Sequence, residues 1–135
     1  MPNMTIPLVD WSAFTLTRSQ LAGSFVRILG YFQEDGRTAV QAIEDALRAN
    51  SAAAMILPAH KLKSEARQFG GERLGQLAEE IEFFARQCVE THEAPDDYVD
   101  RVVKLRPLFE ETLTEIDAHT NPLMQRRAGF GRRVA

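Results

Sequence analysis

Cysteine is nearly missing from this 135-residue chain: Cys88 stands alone. An internal disulfide is therefore excluded, and such usage fits a reducing compartment. Long apolar runs are missing as well. The longest, Ala52 to Leu57, falls far short of the roughly 20 residues that span a bilayer. Met1 to Val9 offers neither a basic start nor a long apolar block, so no secretory signal is read there. We expect a cytoplasmic protein without membrane association. No glycine-rich phosphate loop leads into a lysine, so the chain should not use ATP to phosphorylate itself. His60, His92 and His119 lack close metal-ligand spacing, so no metal and no cofactor are expected. No segment alternates at period two, which excludes strands, and no internal repeat is visible.

What remains is ordinary for one soluble domain: 44% hydrophobic and 26% charged residues. The net charge of −3 is unevenly placed. Residues 121–135 hold Arg126, Arg127, Arg132 and Arg133 and no acid, so +4 sits in the tail and −7 on the rest. An acidic body argues against general nucleic-acid binding, and the tail reads as a basic flexible end.

Residues 1–18 read as an extended arm followed by a short turn of helix, with Asp10 as cap and Trp11 and Phe14 packed on the body. A long helix is expected from Thr17 or Ser19, with Leu21, Phe25, Ile28, Leu29 and Phe32 on one stripe, ending near Asp35-Gly36. Another should run from Arg37 to Ala49, and a central one from Ala52 to Phe69 after the Ser51 cap. Pro58 should bend that helix. Gly70-Gly71 stops it. The next, Glu72 to Thr91, turns Leu74, Leu77, Ala78, Ile81, Phe84, Ala85 and Cys88 inward, so Cys88 is a packing residue. Phe83 falls off that stripe, either half-buried by a neighbour or held for a partner. Glu82 and Arg86 are spaced as a surface pair. A last helix, from about Asp96 to Ala118, carries Tyr98 or Val99, Val102, Leu105, Phe109, Leu113 and Ile116 inward and should bend at Pro107. The fold expected is all-α: an antiparallel four-helix bundle over 19–120 with an additional short N-terminal helix.

The chemistry concentrates in the central helix. Ala59, Leu62, Ala66 and Phe69 form its inward face. His60 shares the other face with Lys63, Ser64 and Arg67 at three-, four- and seven-residue steps. Histidine titrates near neutral pH, so a neutral, nucleophilic fraction is always present. Lys63 and Arg67 beside it suit an anion such as a phosphoryl group. His92 and His119, at helix ends, are read as unrelated to this chemistry.

The stretch His60-Lys61-Leu62-Lys63, followed by Phe69-Gly70-Gly71, Leu74, Leu77 and Ile81-Glu82, resembles the signature of histidine-containing phosphotransfer (HPt) domains. The strongest likeness covers 59–82, and the helical order extends it over roughly 19–118. The resemblance implies a monomeric phosphorelay carrier, not a kinase. His60 would accept a phosphoryl group from a receiver-domain aspartate and pass it to another receiver, with Mg²⁺ supplied by the receiver. Lys63 would steady the phosphoryl oxygens, and Arg67 and Gln68 would border the site. Glu82 would orient the imidazole, and Arg86, with Lys61 and Phe83, would meet the partner. Ser64 departs from the pattern, since relatives usually have glycine four residues after the histidine. Its hydroxyl can bond back to the His60 carbonyl or touch the phosphoryl group. The departure keeps open an alternative: a helical module that grips a receiver or a histidine kinase without carrying phosphate.

Overall fold

The computed structural model describes residues 6–120; the first five residues of the expected arm and the whole basic tail lie outside the described residues. Five α-helices follow one another: α1 Trp11–Leu21, α2 Phe25–Arg48, α3 Ala52–Gln68, α4 Glu72–Thr91 and α5 Val99–Thr120. Short 3-10 turns, Ala22–Ser24 and Pro95–Tyr98, precede α2 and α5. No strand occurs among the described residues. The architecture is an all-α bundle of α2 to α5, with α1 as an additional N-terminal helix.

Two expected boundaries are corrected. The first helix does not stop after one turn: Asp10 caps it, accepting from the Ser12 and Ala13 amides, and it runs on to Leu21. Ala22, at φ 48°, breaks it, so the long helix begins at Phe25 rather than at Thr17 or Ser19. The second correction is at Asp35-Gly36, where no helix ends. The buried stripe Phe25, Leu29, Phe32, Gly36, Ala39, Val40, Ile43, Ala46 continues straight through it in steps of three or four, or one at Val40. Gly36 is a packing residue. A Cβ there would lie 2.7 Å from Cζ of Phe109, a fully buried ring on α5. The approach of α5 therefore requires glycine, despite its cost of about 1 kcal/mol within a helix.

The remaining connections follow local chemistry. Asn50, at φ 53°, closes the turn after α2, and Ser51 caps α3 by accepting from the Ala54 amide. Pro58 and Pro107 lie inside α3 and α5 without ending them. Gly70, at φ 78°, makes the turn into α4. Its carbonyl accepts from the Asp10 amide at 2.7 Å, and Thr17 donates its hydroxyl to the Gln68 carbonyl. Both contacts fasten α1 to the α3–α4 turn.

The core holds Phe14, Phe32, Phe69, Phe109, Met55, Leu62, Leu74, Ile81 and Ile116, all but sealed from water. Cys88 is buried as expected, its thiol near the Ala94 carbonyl. Phe84 is only half-buried, which corrects its place on the inward stripe: Tyr98 stacks on its ring and Arg101 lies over it. Trp11 stacks on His119 at 3.9 Å between centroids, giving that histidine a packing role. The most extensively packed helix pair is α3 with α4, and it carries the site.

Candidate functional site

The inward face of α3 is Ala52, Met55, Ala59, Leu62 and Ala66. Burying that face against α4 leaves His60 exposed, its side chain half open to water. Across the groove stands Glu82 of α4, whose side chain is 8% exposed. Nδ1 of His60 lies 2.9 Å from Oε2 of Glu82. Arg86, one turn further along α4, donates to the same oxygen from Nε at 3.2 Å and Nη2 at 2.9 Å. Lys63 places Nζ 2.8 Å from the other oxygen, Oε1. That contact is a short ion pair and not an aligned hydrogen bond, because Oε1 has no partner of hydrogen-bond geometry.

Burial pushes the Glu82 carboxyl upward. Lys63, Arg86 and His60 together outweigh it and hold the group at about 2. Glu82 is thus ionised across the physiological range and can only accept. The neutral His60 ring must carry its proton on Nδ1, leaving the lone pair on Nε2. Glu82 was expected to form a surface pair with Arg86. That pair forms, but around a buried carboxylate that also meets His60 and Lys63; of the two partners only Arg86, with a side chain 55% exposed, lies at the surface.

The two cations read as suited to an anion beside the imidazole each face a carboxylate. Lys63 is turned inward onto Glu82. Arg67 lies across α4 and pairs with Glu79, Nη2 to Oε2 at 3.1 Å. Gly75 makes room for this, since a Cβ there would come within 2.8 Å of Arg67 Cγ. The Arg67 guanidinium holds the Glu79 carboxyl below its usual range. Sequence reasoning missed Glu79 and Gly75. The charges did carry a signal: Lys63 and Arg67 step four along α3, and Glu82 and Glu79 step three back along α4, as antiparallel neighbours must.

Lys61 and Gln68 are exposed, and the Gln68 backbone carbonyl is taken by Thr17. Phe83 is 57% exposed rather than covered by a neighbour. With Lys63, Glu79, Glu82 and Arg86 it lines a shallow depression of about 210 Å³. Leu57, one turn before His60, is 67% exposed and was not singled out from the sequence. It borders a hollow of about 220 Å³ between α2 and α3, walled by Ala39, Ala42, Ala54 and Pro58 with Asp35, Thr38 and Lys61. No group of three or more metal-ligating side chains occurs among the described residues, and no helix there is long and apolar enough to cross a membrane.

No curated protein and no solved structure matches the chain. One family model does, that of the Hpt domain, over residues 27–119, which takes in nearly all of α2 and everything to the end of α5 except Thr120. The matched span is the bundle that presents His60 to water and sets a buried carboxylate behind it, and the chain belongs to the Hpt domain family, the phosphocarriers of two-component signalling.

Proposed function

We propose that His60 is the phosphoacceptor of a phosphorelay, taking a phosphoryl group from a receiver-domain aspartyl phosphate and handing it to a second receiver. The observation that carries this reading is the 2.9 Å contact from His60 Nδ1 to the buried Glu82 carboxylate, behind a ring that is half exposed. It points the Nε2 lone pair outward. In the forward step Nε2 forms the P–N bond as the acyl P–O bond breaks, and the electron pair returns to the aspartate oxygen. The ring, still bearing its Nδ1 proton, gains a positive charge that Glu82 neutralises. The transition state of such a transfer is loose, so the carrier contributes position and charge more than covalent chemistry. Mg²⁺ belongs to the receiver in this scheme. We place the exchange in the cytoplasm, with the carrier monomeric.

Mixing the protein with a labelled, phosphorylated receiver should give acid-labile, base-stable label on this chain, absent from His60→Ala. Label that persists in that variant overturns the assignment to His60. A receiver that binds without transferring label favours the alternative, a non-transferring module.

A further inference from the structure

Three cations surround His60, and each already faces a carboxylate: Lys63 and Arg86 on Glu82, Arg67 on Glu79. A phosphoryl group arriving on Nε2 therefore meets no unpaired cation on the α4 side of the ring; Lys61, exposed and in no ion pair among the described residues, lies on the other side of the helix, about 100° round from His60. Ser64 differs. The hydroxyls of Thr38, Thr91, Thr112 and Thr120 each donate to the carbonyl four residues back along their helices, at 2.7 to 3.2 Å. Among the described residues Ser64, like the exposed Thr15 and Thr114, makes no such bond, although the His60 carbonyl lies in the same relation to it, so its hydroxyl is left for another partner. Its side chain is exposed.

The helix aims that hydroxyl. Residues four apart hold their Cβ atoms about 5–6 Å from each other, and side chains lean toward the N-terminus of their helix. Ser64 thus leans over the turn that bears His60. At about 100° per residue it stands about 40° round the axis from His60, while Lys63 stands about 60° round the other way. Lys63 is held on the α4 side by Glu82, so Ser64 lies on the opposite side of the ring.

We infer that Ser64 is a phosphoryl-binding residue: its hydroxyl donates to an oxygen of the phosphoryl group on His60 Nε2. This rests on the phosphocarrier reading. Such a bond to a charged oxygen holds the phosphorylated state more than it holds the metaphosphate-like transition state, whose oxygens carry less charge. It therefore prolongs the life of the phosphohistidine.

The test uses the full chain phosphorylated by phosphoramidate, a donor too small to feel steric changes in docking. The lifetime of the acid-labile label and its ³¹P resonance are followed in wild type, Ser64→Ala, Ser64→Thr and Ser64→Gly. Ser64→Ala and Ser64→Gly should both shorten the lifetime by about tenfold, the scale of one hydrogen bond to a charged group, and shift the ³¹P resonance. Ser64→Thr should stay near wild type. Equal lifetimes and resonances in wild type and Ser64→Ala overturn the role of Ser64 and leave the carrier intact. A shorter lifetime in Ser64→Thr to match Ser64→Ala also overturns it, since the hydroxyl is then not what matters. Failure of both phosphoramidate and a phosphorylated receiver to label wild type removes the carrier reading and this inference together.

Discussion

The flank of His60 that faces α4 and the flank that faces α2 are made of different materials. On the α4 side every polar group has a counterpart: Glu82 holds His60, Lys63 and Arg86, and Glu79 holds Arg67. On the α2 side Leu57, Pro58 and Lys61 line a hollow with Ala39, Ala42, Ala54, Thr38 and Asp35, and helix geometry puts Ser64 on that side of His60. The first flank is saturated and fixes the imidazole. The second is open, with no ion pair among the described residues reaching across it to the ring, so it leaves room for whatever approaches Nε2. A phosphocarrier needs both properties at one residue, and the bundle separates them by putting each on a different side of one helix.

The sharpest way to break this division is to empty the α4 flank. Glu82→Ala removes the acceptor at Nδ1 and leaves Lys63 and Arg86 without their carboxylate. The ring then loses both its tautomer and its aim. Uptake of label from a phosphorylated receiver should fall by about 10²-fold, the scale of a misplaced reactive group. Circular dichroism should still report a folded helical bundle. Uptake within about threefold of wild type would mean that the imidazole needs no orienting partner.

Acid probes the same flank through stability. Against burial, Lys63, Arg86 and His60 lower the Glu82 carboxyl from its ordinary 4.5 to about 2 in the folded chain. Its pKa is depressed, so its contribution is fully present above about 4.5 and is lost as pH falls toward 2. At ~1.4 kcal/mol per pKa unit the shift sets a ceiling of about 3 kcal/mol. Arg86 and His60 are half exposed and therefore screened, which brings the expectation to about 1–2 kcal/mol. Denaturant titrations at pH 5 and pH 2.5 should show that loss in wild type, and Glu82→Gln should show a smaller one. An equal loss in the variant would assign the acid sensitivity to other carboxylates.

The α2 flank should respond to a partner and not to chemistry. Leu57→Asp puts a further charge at the edge of the hollow between α2 and α3 without changing His60. Transfer from a receiver should slow by about tenfold at limiting protein, as when one well-placed interface side chain is lost. Labelling by phosphoramidate should be unchanged. A loss with both donors would show that Leu57 supports the ring and is not a docking residue.

The sequence was most readable where one helix decides the outcome. The period of Ala59, Leu62 and Ala66 places His60 outward whatever surrounds it, and Leu74 to Cys88 predicts α4 from Glu72 to Thr91 to the residue. It was least readable where a residue answers to something distant. Gly36 reads locally as a stop, but its partner is Phe109, 73 positions on, and only the packed bundle shows that the glycine makes room for a ring. Lys63 and Arg67 read locally as cations suited to an anion on His60. Their pairing with Glu82 and Glu79 depends on the register between two helices, which one helix does not contain.

The smallest expected effect comes from Arg67. Its pair with Glu79 is partly exposed on both sides, and such pairs contribute roughly 0.2–1 kcal/mol. Arg67→Ala should therefore lower stability by less than about 1 kcal/mol and change phosphohistidine lifetime by less than about threefold, the factor that ~0.7 kcal/mol represents. Glu79→Ala adds a second test, because it frees the guanidinium rather than deleting it. If Arg67 then reaches the phosphoryl group, the lifetime in Glu79→Ala lengthens while that in Arg67→Ala stays put. The carboxylate would then be what keeps a cation off the site. A lifetime shortened in Arg67→Ala as much as in Ser64→Ala would instead mean that the pair opens when phosphate arrives. The phosphoryl group would then belong to the α4 flank as well, and the division between a fixing side and an open side would hold only for the unphosphorylated protein.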